Sequence, residues 1–188
     1  MSKKRNDLQK LTGSILLATP TISTDYLQKT MIYICEHSED GAMGLVINKL
    51  IPDANIINTI RKLRDNLLGD INIYFGGMEE IDKCFILYSD DNATFANNII
   101  KDQIALTISD DILKTVTTFG GPERKIICMG CCTWSSGQLE NEIAENNWIP
   151  IPADEALIFG DPRSDKWSKA FLKIGLRSKL FVHTAGNA

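Results

Sequence analysis

Apolar residues in this chain fall into short blocks whose internal spacing separates strands from helices. SILLA at 14–18 is a compact run that stops before Thr19-Pro20, as a buried strand does ahead of a residue with no N–H for the ladder. MIYICE at 31–36 and GLVIN at 44–48 have strand composition. Between them Asp40-Gly41 supplies the positive φ of a tight reversal, so the two runs predict a hairpin. INIYF at 71–75, CFILY at 84–88, IALTI at 104–108 and KIICMGC at 125–131 return to the same composition.

Helical spacing begins after Pro52, where Ile56, Ile57, Ile60, Leu63 and Leu67 form an apolar stripe, Arg61, Lys62 and Arg64 lie off it, and Asp53 is placed to cap it. A short helix opens at Asp110 or Asp111 and ends at Gly120-Gly121-Pro122. Ser135 and Gln138 have capping-box spacing ahead of a helix over 136–147 that buries Leu139 and Ile143 and turns Glu140 and Glu145 outward. A last helix, 164–175, sets Trp167, Ala170, Phe171 and Ile174 on one face and a basic stripe, Lys166, Lys169, Lys173 and Arg177, on the other. Strands and helices mix without regular βαβ alternation, which predicts an α+β fold.

With 188 residues, 44% of them hydrophobic and 23% charged, the chain has the size and balance of one globular domain, expected over 11–188 behind a flexible tail at 1–10. A formal charge of −4 gives no general attraction to polyphosphate, so nucleic acid is not an expected partner. The five cysteines (Cys35, Cys84, Cys128, Cys131, Cys132) are odd in number and sit in apolar runs, which predicts reduced thiols and a cytoplasmic protein. No apolar stretch approaches the ~20 residues that cross a bilayer, so no membrane association is expected. The opening MSKKRNDLQKLTGSILLATP has the basic start of a secretory signal, but Gly13 and Ser14 interrupt its apolar run.

Cys35-Glu36-His37 places a thiol, a carboxylate and an imidazole in succession. Strand alternation puts Cys35 and His37 on one face and Glu36 on the other, so a nucleophile–base dyad is possible, with Asn48 on the partner strand as an orienting group. The competing reading is a core thiol and a hydrogen-bonded hairpin end. CMGC at 128–131 resembles a redox or zinc half-site, but an extended strand puts its two thiols on opposite faces. Zinc would need four ligands, and the chain has no second CxxC and only His37 and His183. No metal or cofactor is expected. TWSSG at 133–137 lacks the first glycine of a nucleophile elbow. Free N–H groups after Gly137, beside the indole of Trp134, fit an anion better, and Gly76-Gly77 would let a ligand approach the backbone.

Taken together, CEHSEDGAMGLVINK, Gly76-Gly77, WSSGQLENEI at 134–143, ADEALIF at 153–159, DKWSKAFLKIG at 165–175 and the final AGNA resemble the AlgH/YqgE family of bacterial proteins from about Leu11 to Ala188. The resemblance implies a mixed, bifurcated sheet curled into a pseudo-barrel flanked by helices. It brings no settled activity, though a role in regulating transcription has been suggested for the family. The resulting expectation is a non-enzymatic cytosolic protein that binds a small anionic ligand or a protein partner in a regulatory role. Its site would comprise Glu36, His37, Asn48, Gly76, Gly77, Trp134, Gly137 and Gln138. The alternatives are a thiol enzyme using Cys35 and His37, and a DNA-binding regulator using the basic stripe and the N-terminal SKKR.

Overall fold

The structure is a computed structural model and describes residues 11–51, 72–89, 99–108, 122–161 and 164–175. The helices expected after Pro52 and at Asp110 or Asp111 lie outside the described residues, as do Arg177, His183 and the tail at 1–10.

The first three strands are β1 (Ser14–Ala18), β2 (Met31–Ser38) and β3 (Gly41–Val46). They are followed by β4 (Ile73–Phe75), β5 (Glu79–Ser89), β6 (Ile99–Lys101), β7 (Ile104–Thr107) and β8 (Lys125–Ser135). Helix α1 (Gln138–Ala144), strand β9 (Trp148–Pro152) and helices α2 (Glu155–Phe159) and α3 (Lys166–Lys173) complete the described elements. The sheet runs β6-β7-β5-β8-β3-β2-β1-β9, with β4 attached to β8 off this path. The β4–β8 pairing is parallel and the others are antiparallel, so the sheet is mixed. It branches on β8: residues 125–131 carry β5 and β4, and 132–135 carry β3. The path does not close, because β6 and β9 are its two ends.

Apolar side chains cover both faces of the β1–β2–β3 sheet. Ile15, Leu17, Tyr33 and Leu45 face Leu157 of α2 and Trp167 and Phe171 of α3, whereas Leu16, Ile32, Ile34 and Val46 face Trp134, Leu139 and Trp148. Continuous apolar runs such as SILLA follow from burial on both sides. Trp167 anchors α3 by donating its indole N–H to Ala18 O at 2.9 Å.

Three elements escaped the sequence patterns. The β6–β7 hairpin turns on Asp102-Gln103, both at positive φ (49° and 65°), and neither residue is the glycine that marks such a turn. WIPIP forms β9 despite two prolines because, among the described residues, this strand is an edge paired with β1 alone. Helix α2 is five residues long, too short for a periodic stripe, and is started by Asp154, whose carboxylate accepts from Leu157 N at 2.8 Å.

The basic stripe on α3 does not form as expected. Lys166 is buried, its Nζ donating to Ile158 O at 2.9 Å and lying 5.7 Å from the centre of the Tyr74 ring. Lys173 is paired with Asp154. Lys166 lies on the buried side with Trp167 and Ala170, so the stripe loses its first member, while Lys169 and Lys173 remain exposed.

Candidate functional site

The hairpin of β2 and β3 turns on Glu39-Asp40, with Ser38 opposite Gly41. Gly41 has φ 138°, and a Cβ there would stand 2.2 Å from the Trp134 carbonyl oxygen, so only glycine lets β3 lie this close to β8. Three pairs in from the turn the register breaks: Ile34 pairs with Gly44 and Glu36 with Met43, leaving Cys35 as an unpaired extra residue. This β-bulge reverses the alternation expected from the sequence. His37 falls into one row with Ala42 and Trp134 across β2, β3 and β8, on the face covered by α1. Cys35 packs into the opposite cluster, the one that also holds Met43.

The Cys35–His37 dyad therefore does not assemble. The Cys35 thiol is buried, contacts Tyr33 O at 3.8 Å, and is pushed far above the ordinary thiol range by burial, with Cys131 and Glu36 adding to the shift. Positive φ at Gly130 (71°) breaks the alternation of β8 and changes the CMGC reading, because Cys128 and Cys131 then share one core cluster rather than opposite faces. Burial pushes the Cys131 thiol up to about 11 and that of Cys132 up to about 12, which is the environment of inert thiols. Among the described residues, no group of three or more His, Cys, Asp or Glu side chains is placed to hold a metal ion.

His37 instead joins the hairpin to α1. Its Nε2 lies 3.0 Å from Glu140 Oε1, and its buried Nδ1 has no hydrogen-bond partner among the described residues. Ser136 adds a second tie, its hydroxyl donating to Glu39 O at 2.5 Å. Glu142 ties α1 to β8 and β9 instead. The indole N–H groups of Trp134 and Trp148 both donate to its Oε2, at 2.9 and 2.7 Å, while Gln138 Nε2 donates to its Oε1 at 3.0 Å. The indoles meet edge to face, 6.3 Å apart. Half of the expected capping box is present: Gln138 Oε1 accepts from Ser135 N at 3.0 Å, but the N-cap of α1 is Gly137.

His37, Trp134, Gly137 and Gln138 are thus brought together, while three other expected members serve elsewhere. Asn48 lies past the far end of β3, where Oδ1 accepts from Met31 N and Nδ2 donates to Lys29 O, both at 2.8 Å. Gly76 and Gly77 press against β8. A Cβ on Gly76 would meet Gly130 O at 2.1 Å and one on Gly77 would meet Cys131 O at 2.1 Å, so their openness is filled by backbone, not ligand.

A shallow groove of about 220 Å³ opens at the hairpin end, lined by Glu36, Ser38, Asp40, Gly41, Ala42, Met43 and Trp134. Glu36 points away from His37 and is exposed on the groove side. The anion reading fails electrostatically, because α1 is only seven residues long and begins among Glu39, Asp40, Glu140 and Glu142. Sequence reasoning turned Glu140 outward and passed over Glu142, Asp40 and Met43. The one available signal was Glu142 four residues after Gln138, with a tryptophan on either side in sequence.

A branched, open α+β sheet whose central hairpin is strapped to a short helix defines a class with solved members. The solution structure of the AlgH protein from Pseudomonas aeruginosa matches with a TM-score of 0.73 at 31% identity, covering 95% of this chain and 96% of that one. The crystal structure of protein DIP2367 from Corynebacterium diphtheriae matches with a TM-score of 0.70 over 91% of each chain, and at 17% identity this likeness concerns the fold. The chain belongs to the AlgH-like family, whose model matches residues 15–179. It is 35% identical over 186 residues to the UPF0301 protein PM1869 of Pasteurella multocida, spanning 96% of this chain and all of that protein. It is 37% identical over 188 residues to a UPF0301 protein of Vibrio cholerae, spanning 95% and 99%.

Proposed function

We propose that this AlgH-like chain is a non-enzymatic, cytoplasmic binding protein with a regulatory role, and that the groove at the hairpin end is its recognition surface. The observation that carries this reading is the separation of Cys35 from His37 by the β2 bulge, which leaves the thiol buried and the imidazole committed to Glu140. The groove in turn offers Glu36 and Asp40 around the thioether of Met43, a lining that favours a cationic group with an apolar stem over the anion expected from the sequence. No helix among the described residues is long and apolar enough to cross a membrane. A regulatory role through DNA contact has little support, since Lys166 is buried and Lys173 is paired.

Thermal-shift measurements on the full chain at low salt test the proposal. A tri-arginine peptide is expected to raise the unfolding midpoint, inorganic phosphate is not, and the Glu36→Gln/Asp40→Asn variant is expected to lose the response. A flat response to the peptide would sink the reading, and salt-sensitive binding to duplex DNA would favour the regulator that contacts DNA.

A further inference from the structure

The groove has an occupant of suitable charge in the same chain. Residues 1–10, MSKKRNDLQK, lie outside the described residues and carry Lys3, Lys4, Arg5 and Lys10 against a single acidic residue, Asp7. The point where this segment joins the described structure is fixed. Leu11 is buried in the cluster that contains Ala42 and Trp134, two residues that also line the groove. The next turn is pinned beside β2, with Gly13 N donating to Ile34 O at 2.8 Å and Ser14 N to Leu11 O at 2.9 Å. Lys3, Lys4 and Arg5 stand six to eight residues before Leu11, a span of up to about 20 to 26 Å when extended, which brings them within reach of a surface whose own lining begins in Leu11's cluster.

The charges complement each other. The groove lining contains Glu36 and Asp40 and no Lys or Arg, and Glu39 stands in the same turn. A tethered cation meets such a surface at high effective concentration, without the translational cost a free ligand bears.

We infer that the basic N-terminal segment, through Lys3, Lys4 and Arg5, occupies the groove at the β2–β3 hairpin and competes there with any external cationic partner. This rests on the groove being the recognition surface.

The test compares the full chain with a Lys3→Gln/Lys4→Gln/Arg5→Gln variant by ¹H–¹⁵N NMR at low salt. Amide shifts over Glu36–Met43 are expected to differ between the two, and the difference is expected to vanish at high salt and in the Glu36→Gln/Asp40→Asn background. Spectra that superimpose over Glu36–Met43, or changes confined to another surface, would overturn the inference. Titration with tri-arginine peptide separates the two ideas. The glutamine variant is expected to bind several-fold tighter than the unaltered chain. Equal binding would remove the competing segment but keep the groove, and absence of binding to either protein would remove the groove itself.

Discussion

Single residues fix the hairpin–helix site through bonds that composition does not reveal. Glu142 accepts from two indoles and an amide. Glu142→Ala would leave both part-buried indole N–H groups without their acceptor, at a cost of about 3 kcal/mol, whereas Glu142→Gln keeps an oxygen in place and should cost about 1 kcal/mol. Urea unfolding followed by tryptophan fluorescence distinguishes the two variants, and equal losses would show that the carboxylate's position is immaterial. Gly77→Ala tests the other residue-scale correction. Its Cβ would overlap the Cys131 backbone, so the variant should lose more than about 3 kcal/mol or fail to fold. Near-normal stability would restore the ligand-approach reading of that glycine pair. The glycines themselves were legible as special positions, but which backbone they make room for depends on β8, more than fifty residues further along the chain.

At the scale of elements, the hairpin was legible and its facing was not. Asp40-Gly41 announced a reversal, and the structure has one, shifted by a residue so that Glu39-Asp40 form the turn. Strict alternation then assigned Cys35 and His37 to one face, and one unpaired residue was enough to separate them. A bulge at a non-glycine position leaves no mark in the hydrophobic pattern, since Cys35 remains apolar and buried. The misplacement of Cys128 and Cys131 has a different source, since Gly130 between them takes a positive φ that strict alternation ignores. The consequence is measurable at the junction of β2 with α1. A double-mutant cycle with His37→Gln and Glu140→Gln should give a coupling energy of about 1 kcal/mol, while Cys35→Ala paired with His37→Gln should be additive because the two side chains lie on opposite faces. Coupling between positions 35 and 37 would mean that the strand runs without its bulge.

For the whole molecule, the α+β class and most strands could be read from local patterns, but the branching of the sheet could not, because it depends on β8 accepting three partners at different points along its length. The same strand makes the molecule's stability sensitive to alkali. Cys128, Cys131 and Cys132 on β8, together with Cys35 beside them in β2, all have thiols raised by burial, the lowest to about 11. In the unfolded chain these thiols ionise near pH ~8.5. Their contribution is therefore complete below that pH and is lost as the pH rises above it, when only the unfolded state gains by releasing protons. Lys166 acts in the opposite sense. Burial lowers its amine to about 8, so the native state has already given up a proton that the unfolded chain holds until pH ~10.4. Between about pH 9 and 10.5 the four thiols outweigh the one amine, so among these groups the unfolded state binds fewer protons than the native state. The unfolding midpoint should fall continuously across that interval, and Lys166→Met should steepen the fall by removing the opposing group. A midpoint that stays level from pH 8.5 to 10.5 would mean that water reaches the thiols along β8, and the packing that places Cys35 away from His37 would have to be abandoned with it.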